Sequence, residues 1–139
     1  MEHRRIETNG TELHVTSGGA GPPVLLMHGW PHTWQVWRPV LPLLAGARRV
    51  IAPDLRGLGD SARAADGFDA ATGAEDMLGL LDALAVDRAD VVAIDAGVPA
   101  AFLLGALHPD RVGTSAEIVE RLRADAAVQE VDELRLELP

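Results

Sequence analysis

Ala93-Ile94-Asp95-Ala96-Gly97 is the stretch of this sequence best suited to covalent chemistry. It lies where an apolar run, Val91 to Ile94, gives way to a helical pattern beginning near Val98. A strand that turns sharply into a helix needs small residues two before and two after the reactive side chain. Ala93 and Gly97 meet that need around Asp95. A carboxylate held there can attack an electrophilic carbon to give an alkyl-enzyme ester, and the helix N-terminus favours its charged form. The same pentapeptide also suits an aspartate that only caps the helix, so the residues by themselves leave both roles open.

His28 and His32 leave the end of a second apolar run, Val24 to Met27, and are the imidazoles placed to reach Asp95 as a substitute base. Gly29 and Pro31 between them prevent a helix that would bring both rings to one face, and no third ligand is evident, so no metal site is expected. His108 ends the helix that starts beside Asp95. About ten residues at ~1.5 Å each put it ~15 Å away, where it reads as a helix C-cap. Gly57-Leu58-Gly59-Asp60-Ser61-Ala62 fits G-x-G-x-x-A, but Asp66-Gly67 follows and no helical stripe begins before about residue 72. That excludes a dinucleotide fingerprint, which must open a helix at once. No phosphate-binding G-x-x-x-x-G-K-[ST] occurs, and Ser17, Ser61 and Ser115 lack elbows, which excludes a serine esterase. With no cysteine there is no thiolate zinc site, iron–sulfur cluster or cysteine nucleophile. No cofactor is expected.

The elements that must position Asp95 follow from the alternation of short β-rich runs with amphipathic helical ones, the pattern of an α/β fold with a mostly parallel sheet. Asn9-Gly10 is a two-residue turn signal joining Ile6–Thr8 to Thr11–Thr16 as an N-terminal hairpin. Val24 to Met27 and Arg49 to Asp54 read as strands, and Asp90 to Asp95 as a buried one. Trp34 to Leu44 reads as a helix made short or bent by Pro39 and Pro42. Thr72 with Glu75 forms a capping box for a helix whose stripe is Met77, Leu80, Leu81 and Leu84. A second capping box, Thr114 with Glu117, predicts a helix through about Val128, and Leu134, Leu136 and Leu138 then alternate as on a strand.

Composition bounds the partners. The chain has 139 residues, enough for one domain, with 47% hydrophobic and 24% charged residues. Its net charge of −9 argues against nucleic acid or an anionic membrane surface. No apolar run is long enough to span a bilayer, and the charged start Met1 to Arg5 leads into no secretory signal, so a cytoplasmic location is expected.

Four segments, "HGWPHTWQVW", "RVIAPDLRGLGDS", "VVAIDAGVPAAF" and "HPDRV", stand in the order and at the spacing of a known family. In these the chain resembles the α/β-hydrolases, and within them the epoxide hydrolase and aspartate-nucleophile dehalogenase branch. The resemblance implies Asp95 as nucleophile and the backbone N–H groups of Trp30 and Ala96 as the oxyanion hole. It implies that His28, Gly29 and Pro31 shape the oxyanion loop, and that Asp54, Arg56 and Gly57 brace the neighbouring loop. The implied partner is a small uncharged electrophile such as an epoxide.

The chain also departs from the pattern. Ala93-Ile94 replaces the usual Gly-His, and Ala96 stands where a large residue often follows the nucleophile, which weakens the dehalogenase branch. The family's hydrolytic histidine lies in a later half of its core sheet, and the tyrosines that protonate an epoxide have no counterpart here, since the chain contains no tyrosine. The expectation is therefore a truncated α/β-hydrolase fold: 1–112 as an N-terminal half and 113–139 as a divergent helix-strand tail. The tail also resembles, over a short stretch, the end of luciferase-like flavin monooxygenases, but no flavin site can be built from it.

The resemblance puts strands 24–27, 49–54 and 90–95 side by side and parallel, with the last in the middle. Asp95 and the Trp30 backbone should then meet at their C-terminal edge. Turnover should be slow. The alternative is a catalytically inactive remnant acting as a binding or self-associating module, with a homodimer formed through the surface a missing half would cover.

Overall fold

A computed structural model describes residues 1–113. The capping box at Thr114, the helix after it and the strand near Leu134 lie outside the described residues. The elements run β1 (Glu2–Thr8), β2 (Thr11–Gly18), β3 (Pro23–Met27), a 3-10 turn (Trp34–Trp37), α1 (Leu41–Ala45), β4 (Arg49–Pro53), α2 (Ala70–Ala83), β5 (Asp90–Ala93) and α3 (Gly97–Leu107). Among the described residues the strands form one sheet in the order β1-β2-β4-β3-β5. β1 and β2 are an antiparallel hairpin, and β2 meets β4 antiparallel. β3 runs parallel to both β4 and β5. The hairpin turn is the expected one, with Asn9 at φ 46° and Gly10 at φ 71° in the left-handed region.

Two apolar layers follow from the period of two along the strands. Leu25 and Met27 of β3 and Ile51 of β4 face α2 and α3, where they meet Met77, Leu80, Leu81 and Leu104. Val24 and Leu26, with Val50 and Ala52, face the opposite way onto Leu41, Trp34 and Trp37. A strand covered on both faces carries no polar alternation, which is why β3 reads as a continuous apolar run. Arg48, at the entry to β4, pairs with Asp90 at the entry to β5 and donates to the Pro22 carbonyl, tying the N-terminal ends of three strands together. No helix among the described residues is long and apolar enough to cross a membrane.

Several expectations need correcting. β3 lies in the middle of the three parallel strands, and β5 is the edge of the described sheet. β5 also stops at Ala93, and it is only partly buried, with Val92 37% exposed, because no described strand covers its far side. The expected helix from Trp34 to Leu44 is two short pieces, since Pro39 and Pro42 lack the N–H groups a continuous helix needs. α2 begins before Thr72: Asp69 is its N-cap, accepting from the Thr72 backbone N–H at 2.9 Å and the Thr72 hydroxyl at 2.7 Å.

Candidate active site

The register sets the site. Met27 of β3 is the partner of Ala93 of β5, so the two strands end level and their following loops leave the same sheet edge. The Ile94 N–H donates to the Met27 carbonyl at 3.1 Å, and the chain then turns through Asp95 at φ 48° into α3. Few residues other than glycine adopt that left-handed geometry, and it costs of order 1–3 kcal/mol unless the surroundings hold it. Gly97 permits the turn. A Cβ there would lie 2.6 Å from the His28 carbonyl oxygen.

Across the gap, the Trp30 backbone N–H donates to Asp95 Oδ1 at 3.0 Å. Gly29 makes this approach feasible, because a Cβ on it would stand 2.4 Å from Asp95 Cβ and 2.6 Å from Oδ1. The Ala96 and Trp30 backbone N–H groups, in that order, hold the Asp95 carboxyl below the usual carboxylate range, and the nearby His32 lowers it further. Asp95 does not cap α3. The N-cap is Ala96, and no side chain bonds into the first turn from that position.

Of the residues expected here, the structure brings Asp95, Trp30 and Ala96 together and leaves His32 exposed at the rim. His28 is turned to another task. The Leu55 N–H donates to its Nε2 at 2.9 Å, so Nδ1 carries the proton and faces the Gly29 carbonyl at 2.8 Å. Nε2 joins the loop after β3 to the loop after β4 and Nδ1 is held within its own loop, so both ring nitrogens are engaged, which removes His28 as a base. Nothing in the sequence signals this, because the Leu55 N–H belongs to a distant loop. His108 is the C-cap of α3, its N–H donating to the Leu104 carbonyl, as expected.

Burial lowers the His28 pKa against the opposing effects of the Gly29 carbonyl and Asp54. The ring is therefore neutral when folded, whereas the unfolded chain protonates it near its ordinary value of ~6.5. Above that pH both states are neutral. Below it the unfolded state takes up more protons, so this residue's contribution to stability falls as pH falls towards its folded value. The urea midpoint should drop more between pH 7.5 and pH 5.5 in the native sequence than in His28→Gln; equal drops would contradict the assignment.

The bracing role that the resemblance implies for Asp54 is that of a hub. It is buried and accepts from the Trp34 N–H at 2.7 Å and the Asp60 N–H at 3.0 Å, and its Oδ2 lies 2.8 Å from His14 Nδ1. Arg56 pairs with the buried Asp76 at 2.6 Å, bracing the same loop against α2. A cavity of about 390 Å³ has Trp30 and Ala96, the residues whose N–H groups face Asp95, in its wall together with Leu55, Arg56, Phe68 and Met77. The residue after Asp95 is small, and the cavity wall it joins is mostly apolar, with Arg56, Asp69 and Asp76 also in it.

Comparison with known proteins agrees with this fold. Residues 22–114 match the alpha/beta hydrolase fold family. A soluble epoxide hydrolase of Corynebacterium sp. (strain C12) is 45% identical over 102 residues, covering 73% of this chain and 36% of that protein. Epoxide hydrolase 2 of Siraitia grosvenorii is 39% identical over 97% of this chain and 44% of its own length. The crystal structure of an epoxide hydrolase from Vigna radiata superposes with a TM-score of 0.77 at 35% identity, over 80% of this chain and 36% of that one. The chain thus spans less than half the length of these relatives.

Proposed function

The chain belongs to the alpha/beta hydrolase fold family, and from that premise we propose that Asp95 is the nucleophile of an epoxide-opening reaction. The single observation that carries this reading is the Trp30 N–H on Asp95 Oδ1 at 3.0 Å. With Oδ1 held by the Trp30 N–H, Oδ2 is the oxygen that attacks an epoxide carbon. The ring C–O bond breaks, its electron pair stays on the epoxide oxygen, and that oxygen takes a proton from water, the sequence having no tyrosine to supply one. Oδ1 becomes the carbonyl oxygen of the new ester. When water later attacks that carbonyl, negative charge gathers on the oxygen that the Trp30 N–H already addresses, with the Ala96 N–H directed at the same carboxyl group, which is how an oxyanion hole works. The mostly apolar cavity that Trp30 and Ala96 line favours an uncharged, hydrophobic epoxide such as styrene oxide.

Hydrolysis of the ester needs a base. With His28 engaged, His32 is the imidazole left near Asp95, and it is exposed and unanchored. General-base catalysis contributes ~10²–10⁴-fold, so the second step should lag well behind the first. Incubation with styrene oxide, followed by intact-protein mass, should show a slowly forming adduct of one epoxide per chain that persists. Steady diol production without an adduct, or no adduct at high epoxide concentration, would overturn the proposal. Gly29→Ala should cut labelling by at least ~10²-fold while the fold survives, because the new methyl displaces the carboxylate by about an ångström. Labelling within threefold of the native rate would count against the geometry.

A second reading, self-association as a binding module, is favoured by the apolar residues that α3 and β5 leave exposed. Phe102 is 73% exposed, with Val98 and Leu107 on the same helix and Val92 at the sheet edge. Sedimentation should show a dimer that Phe102→Asp dissociates; a monomer across the concentration range would reject it.

A further inference from the structure

Away from Asp95, two imidazoles meet on the face of the β1–β2 hairpin that packs under Trp34. In the hairpin register His3 faces Thr16, and His14, two residues away on β2, is its diagonal neighbour on the same face. His14 is buried, and its Nδ1 lies 2.8 Å from Asp54 Oδ2. A carboxylate only accepts, so His14 carries its proton on Nδ1 and offers the Nε2 lone pair. His3 Nδ1 stands 3.0 Å from that lone pair and is the donor to it, and the Thr16 hydroxyl, 3.2 Å away, shares the same proton. The bonds therefore run in one direction, from His3 through His14 to Asp54. His3 Nε2, on the other side of an exposed residue's ring, keeps its lone pair. The Trp34 ring stands edge-on to His3, 5.2 Å between centroids, an aromatic neighbour for an aryl group.

We propose that His3 is a nucleophile that takes acyl groups from aryl esters, with His14 as its proton acceptor. Such chemistry needs a nucleophile, a base within hydrogen-bond reach and a third group that orients the base, and His3, His14 and Asp54 supply them in that order. The His3 Nε2 electron pair adds to the ester carbonyl and forms the new N–C bond. The tetrahedral adduct can then expel either group. While the Nδ1 proton stays, neutral imidazole leaves more readily than phenoxide, and the ester is returned. Once that proton passes to His14 Nε2, the imidazole would have to leave as an anion. The ester C–O bond breaks instead, and phenoxide departs with its electron pair. The His14 cation rests against the Asp54 carboxylate. Water then hydrolyses the acyl imidazole to the carboxylic acid. His14 returns its proton to His3 Nδ1 as the N–C bond breaks, and the proton shed by water balances the phenoxide. Epoxide opening draws nothing from this relay, because its C–O bond breaks as the nucleophile arrives and no such adduct forms.

The test is release of phenol from phenyl acetate by the whole chain. The sequence has no lysine, so the terminal amine is the one amine that reacts, and it consumes a single ester per chain. Steady release after that reads the histidines. General-base assistance contributes ~10²–10⁴-fold, so His3→Gln, at an exposed strand position, should slow steady release ~10²-fold. His14→Gln can still donate and accept but cannot take up a proton, and it should lose as much. His108→Gln, a half-buried ring at the far end of α3, should change nothing. With p-nitrophenyl acetate both losses should shrink at least ~10-fold, because p-nitrophenoxide leaves without waiting for the proton. Phenol release by His3→Gln within threefold of the native rate overturns the site. So does a His3→Gln loss equally large with both esters, which would make His3 a reactive imidazole without a relay. That comparison decides even if His14→Gln fails to fold.

Discussion

Asp95→Asn should abolish covalent labelling by styrene oxide, slowing adduct formation at least ~10³-fold, the scale on which losing a nucleophile acts. The substitution keeps the shape of the side chain and leaves an amide oxygen to accept from the Trp30 N–H, so the local geometry has no reason to change. What it removes is the anionic oxygen. Asp95 is exposed, and circular dichroism and the urea midpoint should match the native chain. Labelling at an unchanged rate would mean that another group is alkylated, and the proposed role of Asp95 would fall.

The largest stability effect is expected at Asp54. Its carboxylate is 1% exposed and serves the Trp34 and Asp60 N–H groups and the His14 ring. Asp54→Ala strands these donors in a buried site, and breaking such a network costs about 3–5 kcal/mol. That is a large part of the stability a small domain has. The loss should appear as a lowered urea midpoint with little change in slope. A cost below about 1 kcal/mol would show that water replaces the carboxylate, and Asp54 would not be the hub described.

Local chemistry was the legible part of this chain. Asn9-Gly10 specified the hairpin because few dipeptides adopt two left-handed residues in succession. The α2 stripe of Met77, Leu80, Leu81 and Leu84 is buried as its spacing implied. Small residues around Asp95 marked a sharp strand-to-helix turn, and the structure shows what Gly97 and Gly29 make room for.

The three parallel strands meet as expected, but their order was not legible. That β3 and not β5 lies between the other two among the described residues depends on which strands meet, and two apolar runs of similar length do not carry that information. His28 looked available because its partners, the Gly29 carbonyl and the Leu55 N–H, are backbone groups that any residue supplies. The α2 cap was misplaced because Asp69 and Thr72 both belong to the cap: the aspartate receives the bonds and the threonine donates two of them. The cavity beside Ala96 had only one hint in the sequence, a small residue after Asp95, and its walls come from two separate loops and two helices.

The central claim is that an Asp95 oxygen becomes bonded to the carbon of the electrophile. Tandem mass spectrometry of the styrene oxide adduct tests it most directly, since cleavage after Arg88 and Arg111 yields a peptide containing Asp95 as its reactive centre. The account predicts that the added mass lies in that peptide, that its fragment ions place it on Asp95, and that mild base releases it as an ester. Added mass on His32 or another histidine, resistant to base, would contradict it.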